Sequence, residues 1–153
     1  MSNESTLRWD RYFQTMAQAV AAKSKDPSTQ CGAVIADAKQ RLVSVGYNGF
    51  ARGVNDTPER YADRPTKLKL VIHAEANALL FAQRDLDGCT IYTWPFQPCA
   101  TCAALVIQAG IARVVAPLPS AGILERWALD IDLAQQMFRE AGVELVNLEA
   151  TRG

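Results

Sequence analysis

Hydrophobic periodicity that switches repeatedly between helical and strand spacing predicts a layered α/β domain, with helices covering a mixed sheet. Two further observations support this class. The chain has 153 residues and is 49% apolar, enough for one core without disulfide staples. No repeat, low-complexity tract or long charge block divides it, so residues 1–153 are expected to form one domain.

Residues 7–23 put Trp9, Phe13, Met16, Ala17 and Val20 on one face at helical spacing, which predicts a first helix. Asp26-Pro27-Ser28 stops it. Residues 31–36 are a short apolar run and 41–47 are rich in β-formers. The polar Asp37-Ala38-Lys39-Gln40 between them makes a hairpin, closed by Asn48-Gly49. Residues 51–70 read as a long irregular excursion, polar and punctuated by Pro58 and Pro65. Basic Arg52, Arg60, Arg64, Lys67 and Lys69 outnumber Asp56, Glu59 and Asp63 there by two. A loop of that length serves function or motion, or is simply a solvated surface.

Residues 73–82 are rich in Ala and Leu and strongly helical. Asp87-Gly88 turns the chain, and 90–94 form a strand. Residues 99–109 make a second Ala-rich helix, with Pro98 before it and Gly110 after it. Residues 111–116 are a further strand. An amphipathic helix over 128–141 carries Leu129, Leu133, Met137 and Phe138, and 143–148 end the pattern as a strand. The order is α, β, β, α, β, α, β, α, β.

Sixteen basic residues balance sixteen acidic ones. That argues against nucleic acid as a partner, which needs a basic surface excess. No run approaches the roughly 18 apolar residues of a membrane span. The polar Met1-Ser2-Asn3-Glu4-Ser5 lacks a signal-peptide pattern. A cytoplasmic address is the expectation, and there Cys31, Cys89, Cys99 and Cys102 stay reduced.

The chemistry concentrates in two places, each opening a helix after a strand. One is His73-x-Glu75, which contains the only histidine of the chain. The other is Pro98-Cys99-x-x-Cys102. The two cysteines stand three apart on a helix and face the same way. A helix N-terminus favours thiolate, the form a metal needs. One imidazole and two thiolates supply three zinc ligands and leave a fourth position for water, the pattern of a catalytic zinc. Glu75 is then free to work on that water. Two other readings use the same residues. Cys-x-x-Cys at a helix start is also a redox motif, and Cys31 or Cys89 as a fourth ligand would make a structural zinc.

Together, His-x-Glu upstream of Pro-Cys-x-x-Cys is the signature of the zinc deaminases. The chain resembles the cytidine and deoxycytidylate deaminase family over nearly its whole length. The matching segments are Lys25-Asp26-Pro27-Ser28-Thr29-Gln30-Cys31-Gly32-Ala33, Ser44-Val45-Gly46-Tyr47-Asn48-Gly49-Phe50, His73-Ala74-Glu75-Ala76-Asn77-Ala78, Pro98-Cys99-Ala100-Thr101-Cys102-Ala103 and Ala141-Gly142-Val143. The resemblance implies a three-layer domain with a five-stranded mixed sheet between helices. It implies zinc on His73, Cys99 and Cys102, with Glu75 as the catalytic proton shuttle. It places Asn48 against the sugar or base of the substrate, with Ala74 also bordering the substrate.

The implied reaction is hydrolytic deamination of a free cytosine nucleotide, dCMP to dUMP and ammonia foremost. A nucleoside, a free base, a 5-substituted dCMP or a tRNA adenosine are the alternatives. A 5′-phosphate would be met by Lys25, Arg52 and Arg60, the basic residues in and before the 51–70 segment. Family members associate, which implies a homo-oligomer, dimer or hexamer. One segment departs from the family: Thr93-Trp94-Pro95-Phe96-Gln97-Pro98-Cys99 is longer than the usual Thr-Leu-Phe before Pro-Cys and carries an extra proline. By the resemblance this segment borders the base pocket, so the departure bears on the exact base or a ring substituent and leaves the zinc untouched.

Overall fold

The computed structural model describes residues 2–149. Helix α1 (Asn3–Ala21) begins where the Ser2 hydroxyl accepts the Ser5 N–H at 3.1 Å. Strands β1 (Gly32–Ala36) and β2 (Leu42–Tyr47) form the expected hairpin. Its turn is held by Asp37 Oδ1, which accepts the N–H groups of Lys39 and Arg41. Gly49 does not close the hairpin. It begins a two-residue strand β3 (Gly49–Phe50), which pairs antiparallel with β4 (Val71–Ile72) in a separate small sheet.

Between these two strands the chain is not irregular. Residues 51–70 contain helices α2 (Pro58–Ala62) and α3 (Arg64–Leu70). Both prolines stand in a first helical turn, where a missing N–H has no intrahelical partner to lose. Thr57 caps α2 by accepting the Arg60 N–H at 3.3 Å. Prolines that resemble breakers in the sequence are helix starts here.

The remaining elements are α4 (Ala74–Ala82), β5 (Thr90–Trp94), α5 (Ala100–Gln108), β6 (Arg113–Pro117), α6 (Ala121–Ala141) and β7 (Glu144–Leu148). The main sheet runs β2-β1-β5-β6-β7. Its first two pairings are antiparallel, and β5–β6 and β6–β7 are parallel. The five-stranded mixed sheet between helices is as the resemblance implied.

Side chains alternate across β1 with the strand period. Ala33 and Ile35 pack with Ala78, Val106 and Phe138 of the helical layer α4–α6. Val34 and Ala36 pack with Phe13 and Ala17 of α1 on the other face. A Cβ at Gly46 would collide with the backbone of Ala74 and Ala78. That glycine lets α4 lie directly on β2 and sets the depth of its first turn, which carries Glu75.

Helix α6 begins seven residues before the expected start, with non-helical backbone at Trp127. The expected start at 128 coincides with this kink. Its core face is Ile131, Ala134 and Phe138; Leu129 is 73% exposed and Leu133 is also exposed. Counting from Phe138, the helical repeat carries Ile131 and Ala134 inward and turns those leucines to solvent.

A buried ion pair ties α1 to the sheet. Arg113 donates Nη1 to Asp10 Oδ1 at 3.1 Å and Nη2 to Oδ2 at 2.9 Å, and the Tyr92 hydroxyl donates to Oδ1 at 3.0 Å. Burial, and then the Asp10 charge, hold the Tyr92 phenol above its ordinary range. Asp10→Ala removes the acceptor for both partners and should destabilise the fold by about 3–5 kcal/mol. Urea melts of the two proteins check this; a midpoint unchanged from wild type would refute it.

Candidate active site

His73 follows β4 and occupies the N-cap position of α4, and Cys99 occupies the same position on α5. Each side chain therefore projects from the end of a helix whose first N–H groups have no intrahelical acceptor. The Cys99 sulfur accepts the Cys102 N–H at 3.4 Å, which folds the Cys-x-x-Cys turn around one point. His73 Nδ1 lies 3.5 Å from Cys99 Sγ and 3.3 Å from Cys102 Sγ. Zinc bonds of about 2.3 Å to sulfur and 2.0–2.1 Å to nitrogen, at the tetrahedral angle, put neighbouring S and N ligands roughly 3.6 Å apart. The donor set and its spacing both fit zinc. Among the described residues this is the one such cluster, and neither Cys31 nor Cys89 belongs to it. A four-ligand structural site is not assembled.

The electrostatics suit a metal. The Cys99 thiol is lowered to about 4, chiefly because Cys102 donates to it and then because His73 does, against the cost of burial. Cys102 moves the opposite way, since the proton it lends to Cys99 stays on its own sulfur. His73 is raised by its hydrogen bond to Cys99 against the effect of burial, with Glu75 and Asp130 adding to the rise. These shifts favour the thiolate form at Cys99 over Cys102. A redox pair has no use for the imidazole placed between its sulfurs.

Glu75 sits in the first turn of α4, only 8% exposed. Burial raises its carboxyl above the usual range, and the nearby His73 opposes that rise. A carboxyl that burial makes more ready to hold a proton is suited to accept one and return it. His73 is the exposed member of the metal cluster and Cys102 the buried one, so the cluster opens to solvent on the imidazole side.

The other expected site residues are placed differently. Ala74 is fully buried between His73 and Glu75 in sequence, packed in the core. Asn48 is buried and its amide is occupied. Oδ1 accepts the Cys31 N–H at 2.8 Å, and Nδ2 donates to Thr29 O at 3.0 Å and Asp26 Oδ2 at 3.2 Å. Neither side-chain N–H is left for a ligand. Lys25 is exposed and paired with Asp56 at 3.0 Å. Arg60 Nη1 donates to the Asn55 carbonyl at 3.0 Å. Arg52 is exposed on the turn after β3.

Sequence reasoning passed over the group behind Asn48. Asp26, with its side chain 4% exposed, accepts the Ser28 and Thr29 N–H groups and a 2.8 Å ion pair from Lys67 of α3. The Asx turn at Asp26-Pro27-Ser28-Thr29 is readable in sequence; its partner Lys67, 41 residues on, is not. Burial and then the Glu75 charge push the Cys31 thiol up to about 12. The Asp26–Asn48–Cys31 turn is thus closed by side-chain hydrogen bonds and pinned from outside by Lys67 of α3.

Comparison with known proteins agrees with this geometry. Residues 7–118 match the family described as the cytidine and deoxycytidylate deaminase zinc-binding region. The chain belongs to that family, and its cofactor is zinc; His73, Cys99 and Cys102 are the cluster, among the described residues, whose geometry can hold a metal ion. An uncharacterized deaminase in the luxG 3′ region of Aliivibrio fischeri is 47% identical over 138 residues, 90% of this chain and 92% of that protein. Human deoxycytidylate deaminase is 41% identical over 117 residues, 71% of this chain. The chain spans 64% of the length of the human enzyme and 59% of a probable deoxycytidylate deaminase from Drosophila melanogaster. The crystal structure of a cyanophage S-TIM5 dCMP deaminase, in complex with dCMP and dUMP, shares the fold with a TM-score of 0.69 at 22% identity, over 97% of this chain and 99% of that one.

Proposed function

We propose that the protein hydrolyses dCMP to dUMP and ammonia. The observation that carries this is the imidazole–dithiolate cluster with a buried glutamate in the adjoining helical turn, in a chain whose relatives include deoxycytidylate deaminases. Bound at His73, Cys99 and Cys102, zinc supplies the Lewis acidity that brings the pKa of water from 15.7 down to about 7. Glu75 takes one proton from the attacking water and delivers it to N3 of the cytosine ring. Oxygen adds at C4, Glu75 carries the second proton to the amino nitrogen, and the C4–N bond breaks. N3 keeps the first proton in dUMP, and the second leaves with ammonia, so the sum is dCMP plus water. In this reading Asn48 acts by holding the Asp26–Cys31 turn in shape, and Ala74 by packing the floor. The proposal takes residues 1–153 as one deaminase unit.

The 5′-phosphate is assigned to Lys25, Arg52 and Arg60. The Lys25–Asp56 pair is exposed and screened by solvent, so a phosphate can displace Asp56 at little cost. Lys67 is committed to the buried Asp26. Charge-assisted hydrogen bonds contribute about 1.5–3 kcal/mol each. Two of them should favour dCMP over deoxycytidine by roughly 10²–10⁴ in kcat/KM, and high salt should narrow the gap. An ammonia-release screen over dCMP, CMP, deoxycytidine, 5-methyl-dCMP and adenosine tests substrate and phosphate together. Equal turnover of deoxycytidine would refute the phosphate assignment, and release from adenosine alone would refute the cytosine reading.

No helix among the described residues is long and apolar enough to cross a membrane. All four cysteines are unpaired, which suits a reducing compartment, and we assign the protein to the cytoplasm. Leu80 and Phe81 of α4, Leu105 of α5, and Leu129 and Leu133 of α6 lie exposed on the helical layer that covers one face of the sheet. Such apolar exposure supports association of this chain with copies of itself. Light scattering at working concentration should give a dimer or hexamer; a monomer would refute it.

A further inference from the structure

Helix α6 lies outside residues 7–118, the region that the family shares. Two of its side chains nevertheless reach the segment that carries Cys99. Asp130 Oδ2 accepts the Ala100 N–H at 3.0 Å, directly after the ligand. Gln135 Nε2 donates to Gln97 Oε1 at 3.3 Å, two residues before it. Between these points stands Pro98, which has no N–H to donate. The segment is also the one that is longer than the family's usual run and carries an extra proline.

We propose that Asp130 and Gln135 form a two-point clamp that positions Cys99 as a zinc ligand. Both are positioning residues and touch neither substrate nor the metal. Ala100 is the first residue of α5, so its N–H is one of the donors that a helix leaves unpaired. A carboxylate there makes a charge-assisted bond and meets the positive end of the helix dipole. It fixes the axis of α5, from which both sulfurs project. Gln97 is only 3% exposed, and its Nε2 has no protein partner. Its bond from Gln135 is then the one polar link that its side chain makes, and losing it leaves both ends of a buried amide unsatisfied. The clamp thus brackets Pro98-Cys99 from one helix, and the longer loop needs such an outside anchor. The proposal rests on the zinc site described above.

The test is zinc affinity, measured by competition with a chromophoric chelator on the whole protein, with the thiolate–cobalt(II) absorption band as a second readout. Removing such an outer partner costs roughly 10–100-fold in metal affinity. Asp130→Ala should weaken zinc by that factor and alter the cobalt band. Asp130→Asn keeps an oxygen acceptor and should recover part of the loss. Gln135→Met has a similar volume, lacks the donor, and should weaken zinc as well. Asp132→Ala is the control: Asp132 is exposed on the outer side of the same helix and, among the described residues, accepts a hydrogen bond from Gln136. It should bind zinc as the wild type does. If Asp130→Ala fails to fold, Gln135→Met decides. Wild-type affinity and an unchanged cobalt band in Asp130→Ala, or in Gln135→Met where that variant decides, would overturn the clamp. A wild-type protein that holds no zinc would instead overturn the metal site itself.

Discussion

Glu75→Gln is expected to keep its zinc and lose turnover by at least roughly 10²–10⁴, the span of a general acid–base group. The substitution keeps the size and a hydrogen bond and removes only the ability to carry a proton. Glu75 makes successive transfers in the proposed reaction, so the loss should lie at or beyond the upper end. Metal content by atomic absorption separates shuttle from ligand: a variant that loses zinc would make Glu75 a ligand.

Stability should move the other way. Burial raises the Glu75 carboxyl in the folded protein, so the fold holds the proton more tightly than the unfolded chain does. For an acid shifted upward, stability falls as pH climbs from the unfolded value through the folded one. Metal-free Glu75→Gln has no such charge to bury. It should melt at a higher temperature than metal-free wild type at neutral pH, and the difference should shrink in acid. A lower melting temperature across that range would contradict the burial argument.

Cys99→Ala is expected to abolish both zinc binding and deamination. It leaves one imidazole and one thiolate, and it removes the sulfur that accepts the Cys102 N–H at the start of α5. Those two losses can be told apart. Cys99→Ser restores a good N-cap acceptor but not the soft thiolate that zinc prefers. If ligation is what matters, Ser behaves like Ala in metal content and turnover. If the serine variant holds zinc and works normally, Cys99 serves the helix and not the metal.

The zinc cluster was legible in sequence because each part is local. His73-x-Glu75 and Pro98-Cys99-x-x-Cys102 each open a helix, and the periodicity that predicts those helices also fixes which way the side chains project. The sheet was legible for the same reason: 90–94, 111–116 and 143–148 are apolar runs at strand length, and they became β5, β6 and β7. What escaped was set by partners far along the chain. Lys67 meets Asp26 across 41 residues, and Arg113 meets Asp10 across 103. Nothing in the local pattern around either the lysine or the arginine marks it as the partner of a buried carboxylate.

Segment 51–70 misled for a different reason. Pro58 and Pro65 carry opposite meanings inside a helix and at its first turn, and only the capping Thr57 hinted at the second. Leu129 and Leu133 misled because an apolar side chain on the outer face of a helix has the same spacing as one on the inner face. Asn48 was singled out for the substrate, but as a member of a turn its amide is consumed by Cys31, Asp26 and Thr29. Composition gave no hint of the α6 contacts, because Asp130 and Gln135 resemble any polar residues of a solvated helix face.

The most direct test follows dUMP and ammonia released from dCMP as the protein is stripped of metal and then reloaded with zinc. The stripped protein should release neither, and both should return together, in equal amounts, as zinc reaches about one ion per chain. Metal-free protein that converts dCMP as fast as the reloaded form, or reloaded protein that leaves dCMP intact, would contradict a zinc deaminase acting through His73, Cys99, Cys102 and Glu75.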